Sequence, residues 1–208
     1  MRRKRPIERA AGADRDASLF VIASEDRYAT RQYFERFDSS RVQFRVLGTE
    51  DGRSDPEQVL RRLDEYKAEF EIGEGDQFWL LCDVDHRGAG AHLAGLTQVL
   101  KMCRQKNVGY ALSAPCFEVW LLLHYCDIED GWRPSPDEVV ARVREMVGSY
   151  NKRRVDRFPF DAARVKTAIG RAKALPEPTS EVPEHAYSQV YRVVEPIIDW
   201  LRVRSSAS

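Results

Sequence analysis

The sequence predicts an α/β fold in which helices flank a parallel β-sheet. Short apolar runs with the length of buried strands alternate with stretches that have helical periodicity. The chain has 208 residues, of which 43% are hydrophobic and 32% are charged, a composition that suits a folded domain with its own core. Strands that alternate with helices are joined by crossovers and covered on both faces, so a strand-only or helix-only fold is excluded.

The strand predictions rest on hydrophobic pattern. We predict strands over 19–23, 42–46, 77–82 and 109–113. The first and third are almost continuously apolar, as expected of strands that are buried on both faces, whereas the second alternates between apolar and polar residues.

The helix predictions rest on apolar faces and on start signals. The first helix follows the first strand and has Tyr33, Phe34 and Phe37 on one face. The second begins at Pro56, with Ser54 or Asp55 as N-cap, because proline suits the first turn of a helix. This second helix runs to about Phe70. Further helices are expected over 90–105, from Pro115 to His124 or Tyr125, and near 135–148, 161–175 and 183–203.

Three regions are predicted along the chain: a flexible basic arm over 1–17, an α/β domain over 18–130, and a helical C-terminal extension over 131–208 that packs on the core.

The zero net charge hides charge segregation, because 50–76 carries a net charge of −6 and 142–173 a net charge of +7. The basic block is suited to following a phosphate backbone, although a solvated helix face produces the same pattern.

Several classes of protein are excluded by what the sequence lacks. No apolar run approaches the roughly 20 residues that a membrane helix needs, and no secretory signal follows the basic N-terminus. We therefore expect a soluble cytoplasmic protein that does not bind membranes. The four cysteines are too scattered for a zinc site, and the absence of a P-loop argues against nucleotide hydrolysis by this chain.

Acidic residues follow two of the predicted strands. Glu25 follows the first strand, and Asp83 and Asp85 end the third. Ligand sites in parallel α/β sheets lie outside the carboxyl ends of the strands, and two carboxylates held close together favour a hard cation such as Mg²⁺. Glu25 would complete this metal site or serve as a general acid or base. A turn in which an aspartate caps the next helix would give the same D-x-D spacing.

Other candidates lie near this cluster. Glu118 falls in the first turn of the helix after Pro115, where it either favours the helix N-terminus or, with Ser113, faces the acidic cluster. His86 would contact a phosphate or a metal, or would simply be solvated. His124 is expected to be a core histidine.

The residues just described resemble the RloB family, small proteins encoded near restriction loci with Toprim-like domains. The resemblance runs from about Leu19 to the C-terminus. It rests on Val21-Ile22-Ala23-Ser24-Glu25 followed by Tyr33-Phe34, on Asp83-Val84-Asp85, on Tyr150-Asn151-Lys152, on Pro178 to Ser180, and above all on Ser113-Ala114-Pro115-Cys116-Phe117-Glu118-Val119-Trp120-Leu121-Leu122-Leu123-His124.

The resemblance implies a Toprim-like sheet of about four strands and a Mg²⁺- or Mn²⁺-dependent nuclease of an anti-phage defence system, acting with an AAA-type ATPase partner. Glu25, Asp83 and Asp85 would hold the metal, and these three with Glu118 would form the catalytic set. Nucleic acid (DNA or RNA) would dock on Arg27, His86, Lys152, Arg153 and Arg154.

A second hypothesis is a non-catalytic module that binds nucleic acid or the ATPase. It is favoured by the residues after Glu25, where Asp26-Arg27-Tyr28-Ala29-Thr30 replaces a glycine and two acids of the family pattern. A third is a phosphotransfer or primase-like activity.

Overall fold

A computed structural model describes residues 2–6, 17–37, 42–48, 55–84 and 90–205. The strands of this part are β1 (Ser18–Ser24), β2 (Val42–Leu47), β3 (Gln77–Asp83), β4 (Gly109–Ala114) and β5 (Tyr187–Ser188). The helices are α1 (Ala29–Phe34), α2 (Pro56–Glu69), α3 (Gly90–Gln105), α4 (Glu118–Leu123), α5 (Pro136–Val147), α6 (Ala162–Ala174) and α7 (Tyr191–Ser205), with 3₁₀ turns at Glu35–Phe37 and Val155–Arg157. The predicted α/β class is confirmed.

The sheet has the strand order β2-β1-β3-β4-β5. The first four strands are parallel, and β5 pairs with β4 in the antiparallel direction. The chain leaves β1 for β2 on one side and then crosses back to β3 on the other side. The gap between the carboxyl ends of β1 and β3 is therefore the topological switch point, the usual ligand position in such sheets.

Helices cover both faces of this sheet. Right-handed crossovers place α1 on one face and α2 and α3 together on the other. Tyr33 of α1 makes edge-on ring contacts with Phe117 and Trp120, so α4 packs on the same face as α1. Asp55 is the N-cap of α2 and accepts a 2.9 Å hydrogen bond from the Glu57 amide, as predicted from the Ser-Asp-Pro start.

The structure differs from the sequence prediction at several places. The helix after Pro115 begins only at Glu118, because residues 115–117 form the turn that follows β4. The last helix begins at Tyr191 instead of 183, since residues 187 and 188 form β5. The predicted C-terminal extension thus contributes a strand to the sheet.

Residues 2–6 of the predicted basic arm contact the domain. Arg3 forms an isolated bridge with Phe70, and its guanidinium pairs with Glu69. Arg5 donates to the Ala17 carbonyl at 2.7 Å. Among the described helices, none has the length and apolarity needed to cross a membrane.

Candidate active site at the switch point of the sheet

Glu25 and Asp83 lie at the switch point because they stand at the carboxyl ends of the two central strands. Ser24, the last residue of β1, is in register with Leu81 of β3, and Asp83 ends β3 opposite Ser113 of β4. Glu25 and Asp83 line the same small cavity, whose volume of about 10 Å³ matches a single water molecule. Ser113 lines it too, and its hydroxyl is 3.1 Å from that of Ser188.

Burial and like charge make this an unfavourable place for two carboxylates. Burial raises the pKa of Glu25 to about 7, although a hydrogen bond with the Cys82 thiol opposes the shift. Burial also raises the pKa of Asp83 well above its usual range, and repulsion from Glu25 and Glu118 adds to this effect. Oε1 of Glu25 is buried without a hydrogen-bond partner among the described residues. A cation between these groups would relieve both effects.

Glu118 is the third carboxylate of the cluster and is 0% exposed. It is the first residue of α4, which the short turn after β4 places beside the strand ends. Its Oε1 accepts a 3.0 Å hydrogen bond from the Tyr150 hydroxyl, whereas its Oε2 has no hydrogen-bond partner in the part of the chain that the structure describes. Both hypotheses for Glu118 are compatible with this position, since it lies in the first turn of α4 and its charge also raises the pKa of Asp83.

The C-terminal extension supplies two further side chains, Tyr150 and Lys152. The segment that carries them is held by α1: the Gln32 amide donates to the Arg153 carbonyl at 3.0 Å and accepts from the Val155 amide at 2.7 Å. Arg36 of the adjoining 3₁₀ turn donates to the carbonyl of Phe158 at 2.5 Å. These contacts bring a loop from a distant part of the sequence to the strand ends.

Lys152 lies between two acids instead of on an open basic surface. Its Nζ is 3.6 Å from Oε1 of Glu118 and 3.6 Å from Oδ2 of Asp26. Burial alone would lower the pKa of Lys152, but attraction by Glu118, Asp83 and Asp26 raises it above its ordinary value. Lys152 therefore stays charged and offsets part of the negative charge of the cluster.

Asp26 has a role that sequence reasoning missed. Its Oδ1 accepts from the backbone amides of Tyr28 at 2.7 Å and Thr30 at 3.3 Å, and from that of Ala29, so it caps the start of α1. Its other oxygen faces Lys152. The position of Asp26 just before the first predicted helix could have predicted this role, since aspartate is a favoured capping residue.

The donor set suits a hard divalent cation, but the described residues supply only part of it. Asp85 and His86, the other two candidates at this strand end, lie outside the described residues. Within the described ranges, no group of three or more His, Cys, Asp or Glu side chains could hold a metal ion. The carboxylates of Glu25 and Asp83, one with an unpartnered buried oxygen, are ligands of the type that Mg²⁺ and Mn²⁺ bind.

The predicted nucleic-acid-binding residues occupy different environments. The guanidinium groups of Arg27 and Arg153 lie 5.3 and 5.9 Å from the ring of Tyr28, which is 37% exposed. Arg154 forms a two-pronged ion pair with Asp156, at 3.1 and 3.2 Å. Arg27 and Arg153 thus form an exposed basic and aromatic patch next to the acidic cluster, whereas the charge of Arg154 is neutralised locally.

The fold and the site define an α/β protein with an acidic cluster at the switch point of a mostly parallel sheet. The model of the RloB-like protein family matches residues 20–197, which is most of the chain. This protein therefore belongs to the RloB-like family, as the resemblance implied. No curated protein and no solved structure matches it.

Proposed function

We propose that this protein is a divalent-metal-dependent nuclease that cleaves phosphodiester bonds. The observation that carries the proposal is the convergence of Glu25 and Asp83 on one cavity at the switch point, where burial and mutual repulsion penalise two adjacent charges. Such an arrangement is costly unless a cation or a reaction uses it.

The residues have distinct roles in this proposal. Glu25, Asp83 and Asp85 would hold Mg²⁺ or Mn²⁺, which when bound would polarise the phosphoryl oxygens. Glu25 has an uncommitted carboxylate oxygen and could instead exchange a proton with the attacking water or the leaving oxygen. Lys152, held by Glu118 and Asp26, would place a fixed positive charge beside the reacting phosphate.

The surface around the cluster suits a nucleic acid. Arg27 and Arg153 flank the exposed ring of Tyr28, and a basic surface that includes an aromatic ring can bind phosphates and stack a base. The defence role and the AAA-type ATPase partner are part of the proposal through family resemblance. An ATPase would supply the nucleotide-hydrolysis motif that this sequence lacks.

Thermal melting with metal is the direct test. We expect Mn²⁺ or Mg²⁺ to raise the melting temperature of the wild type, and Asp83→Asn to abolish that rise, because only a folded site binds the ion. Asp127→Asn, on an exposed carboxylate, is the matched control and should keep the rise. Cleavage of labelled single- and double-stranded DNA and RNA in the presence of the metal ion then measures the nuclease activity itself. Equal melting of wild type and Asp83→Asn in metal would contradict the proposal.

The alternative is a non-catalytic module that binds nucleic acid or the ATPase. The position of Lys152 favours this alternative. Its ammonium lies 3.6 Å from the carboxylates of Asp26 and Glu118 and already neutralises part of the cluster without a metal ion. The alternative predicts nucleic-acid or ATPase binding that is unchanged by EDTA and by Asp83→Asn, with no cleavage of any substrate.

A further inference from the structure

A groove with a volume of about 560 Å³ lies at the outer edge of β2, away from the acidic cluster. In the described part of the sheet β2 pairs only with β1, so its other edge faces this groove. Five arginines, contributed by the N-terminal segment, α1, β2 and α2, line it: Arg3, Arg31, Arg45, Arg61 and Arg62. The volume falls in the range of ligand-binding clefts.

The groove carries an excess of positive charge. Two of its arginines have acidic partners that also line it: Arg61 is 3.2 Å from Glu65, and Arg3 pairs with Glu69. Arg31 and Arg45 are exposed, and neither has a carboxylate partner among the residues that the structure describes. Such guanidinium groups are available to an anion and match the geometry of a phosphate.

The basic block of the sequence, over 142–173, differs from the groove in how its charges are paired. Many of its charges over 142–173 are offset by nearby acids, as in the pairs of Arg154 with Asp156 and Arg171 with Asp127. A count of charges along the sequence therefore does not reveal the groove, because ion pairing across the fold is not visible in such a count.

The groove is separate from the cavity of the acidic cluster but borders the loop that carries Glu25. Arg62 lines it and donates a 3.2 Å hydrogen bond to the carbonyl of Ser24, the residue before Glu25. Gly48 also lines it, and a Cβ added there would lie 3.3 Å from the Asp26 carbonyl oxygen. The two sites thus share the loop that follows β1.

Two uncommitted polar groups belong to residues of the groove. The amide oxygen of Gln58 and the hydroxyl of Tyr66 are buried without a hydrogen-bond partner among the described residues. The Tyr66 ring stacks on that of Phe70 at 4.6 Å, which gives the groove an aromatic end. Arginines beside aromatic rings are typical of surfaces that bind single-stranded nucleic acid.

We propose that this arginine-lined groove binds the sugar-phosphate backbone of a single nucleic-acid strand and leads it to the Glu25 and Asp83 site. The proposal rests on the proposed function, since it assigns the path of the substrate to that site. A peptide strand is a poorer occupant of this edge, because Arg31 already donates to the Val46 carbonyl of β2 and guanidinium groups flank it.

The test is binding of fluorescein-labelled single-stranded DNA and RNA oligonucleotides in EDTA, followed by fluorescence anisotropy. We expect the double variant Arg31→Gln/Arg45→Gln to bind at least about tenfold more weakly than wild type. When the logarithm of its binding constant is plotted against the logarithm of the salt concentration, the slope should be shallower than that of wild type by about 1.4. This difference corresponds to about 0.7 for each lost phosphate contact. The control Lys101→Gln/Arg192→Gln removes the same charge from exposed positions outside both the groove and the 142–173 block, and it should bind like wild type.

Several results would overturn the groove assignment. These are wild-type affinity in Arg31→Gln/Arg45→Gln, an equal loss in the Lys101→Gln/Arg192→Gln control, preference for duplex over single strand, or no binding by the wild type. Cleavage of the oligonucleotides in the presence of the metal ion is measured in a separate assay. Binding that depends on the groove but is never followed by cleavage would contradict the nuclease proposal and leave the groove assignment standing.

Discussion

The ammonium of Lys152 lies 3.6 Å from a carboxylate oxygen of Glu118, although the two residues come from different regions of the chain and Glu118 is fully buried. The Glu118 carboxylate accepts a hydrogen bond from the Tyr150 hydroxyl, but because it is buried it also depends on the charge of Lys152 for compensation. The pair therefore links the stability of the protein to the composition of its acidic cluster.

The first prediction concerns this pair. Lys152→Met should lower the free energy of unfolding by roughly 1–2 kcal/mol, below the cost of breaking a fully buried pair because the Lys152 side chain is 50% exposed. In a Glu118→Gln background the same change should cost less, since the fully buried carboxylate nearest to Lys152 is then neutral and only Asp26 and Asp83 still interact with the ammonium. Urea unfolding of the four proteins at neutral pH in EDTA measures the coupling.

The exposed Lys166 provides a control for that cycle. Lys166→Met should have the same small effect in both backgrounds. If Lys152→Met were equally costly in the wild-type background and in the Glu118→Gln background, the pair would not be coupled and the compensation argument would fail.

The second prediction concerns the contribution of His124 to stability in acid. This histidine is 1% exposed, its Nδ1 lies 2.9 Å from the Trp120 carbonyl, and its Nε2 lies 3.2 Å from the Tyr33 hydroxyl. Burial lowers its pKa from 6.5 to about 4, and the positive charges of Arg164 and Arg36 act in the same direction. The folded protein thus keeps this histidine neutral while the unfolded chain takes up a proton below pH 6.5.

The sign follows from proton binding. Between pH 6.5 and about 4 the unfolded state binds the proton of His124 and the folded state does not, so His124 contributes a loss of about 3 kcal/mol of stability as the pH is lowered through this window. Glu25 and Asp83 contribute in the opposite direction, because burial raises their pKa values and the folded state therefore binds their protons at higher pH than the unfolded chain does. The difference in unfolding free energy between wild type and His124→Gln should thus change by about 3 kcal/mol across the window. A difference that stays constant with pH would contradict this prediction.

The third prediction concerns two glycines. Gly109 of β4 is in register with Trp79 of β3, and a Cβ at Gly109 would lie 2.6 Å from the indole ring. Gly109→Ala should therefore destabilise the protein by about 1–3 kcal/mol, because a rigid ring must move. Gly95→Ala in α3, where a Cβ meets nothing within 4 Å, should stabilise it by about 0.5–1 kcal/mol. If the melting temperatures of both variants shifted in the same direction, this account of the packing at the two glycines would be contradicted.

The fourth prediction concerns cysteine reactivity. Cys82, Cys103 and Cys116 are buried, and burial raises the pKa of each thiol, whereas Cys126 is partly exposed. Iodoacetamide at pH 8 should modify Cys126 first in the folded protein and all four cysteines in urea, as mapped by mass spectrometry. Earlier modification of Cys116 would mean that α4 opens to solvent in the native state.

The central strands and their acidic ends could be predicted from the sequence, but the partners of those acids could not. The run before Glu25 and the run before Asp83 are apolar enough to define buried strands, and the switch-point rule then places both carboxylates together. Lys152 reaches the cluster only because Gln32 and Arg36 hold the loop between α5 and α6, contacts that span more than a hundred residues.

The fifth strand was missed for a related reason. Two residues, Tyr187 and Ser188, are too few to show any periodicity, and their strand character comes from pairing with Ser113 and Ala114. Tertiary hydrogen bonding, and not local pattern, defines such an element.

That pairing has a consequence for synthesis of the chain. The outer edge of β4 is completed by residues that leave the ribosome long after the four parallel strands have emerged. At about 5–20 residues per second the delay is on the order of 4–15 s. Throughout that interval the nascent polypeptide has an unpaired backbone edge at Ser113 and Ala114, to which a foreign strand could pair.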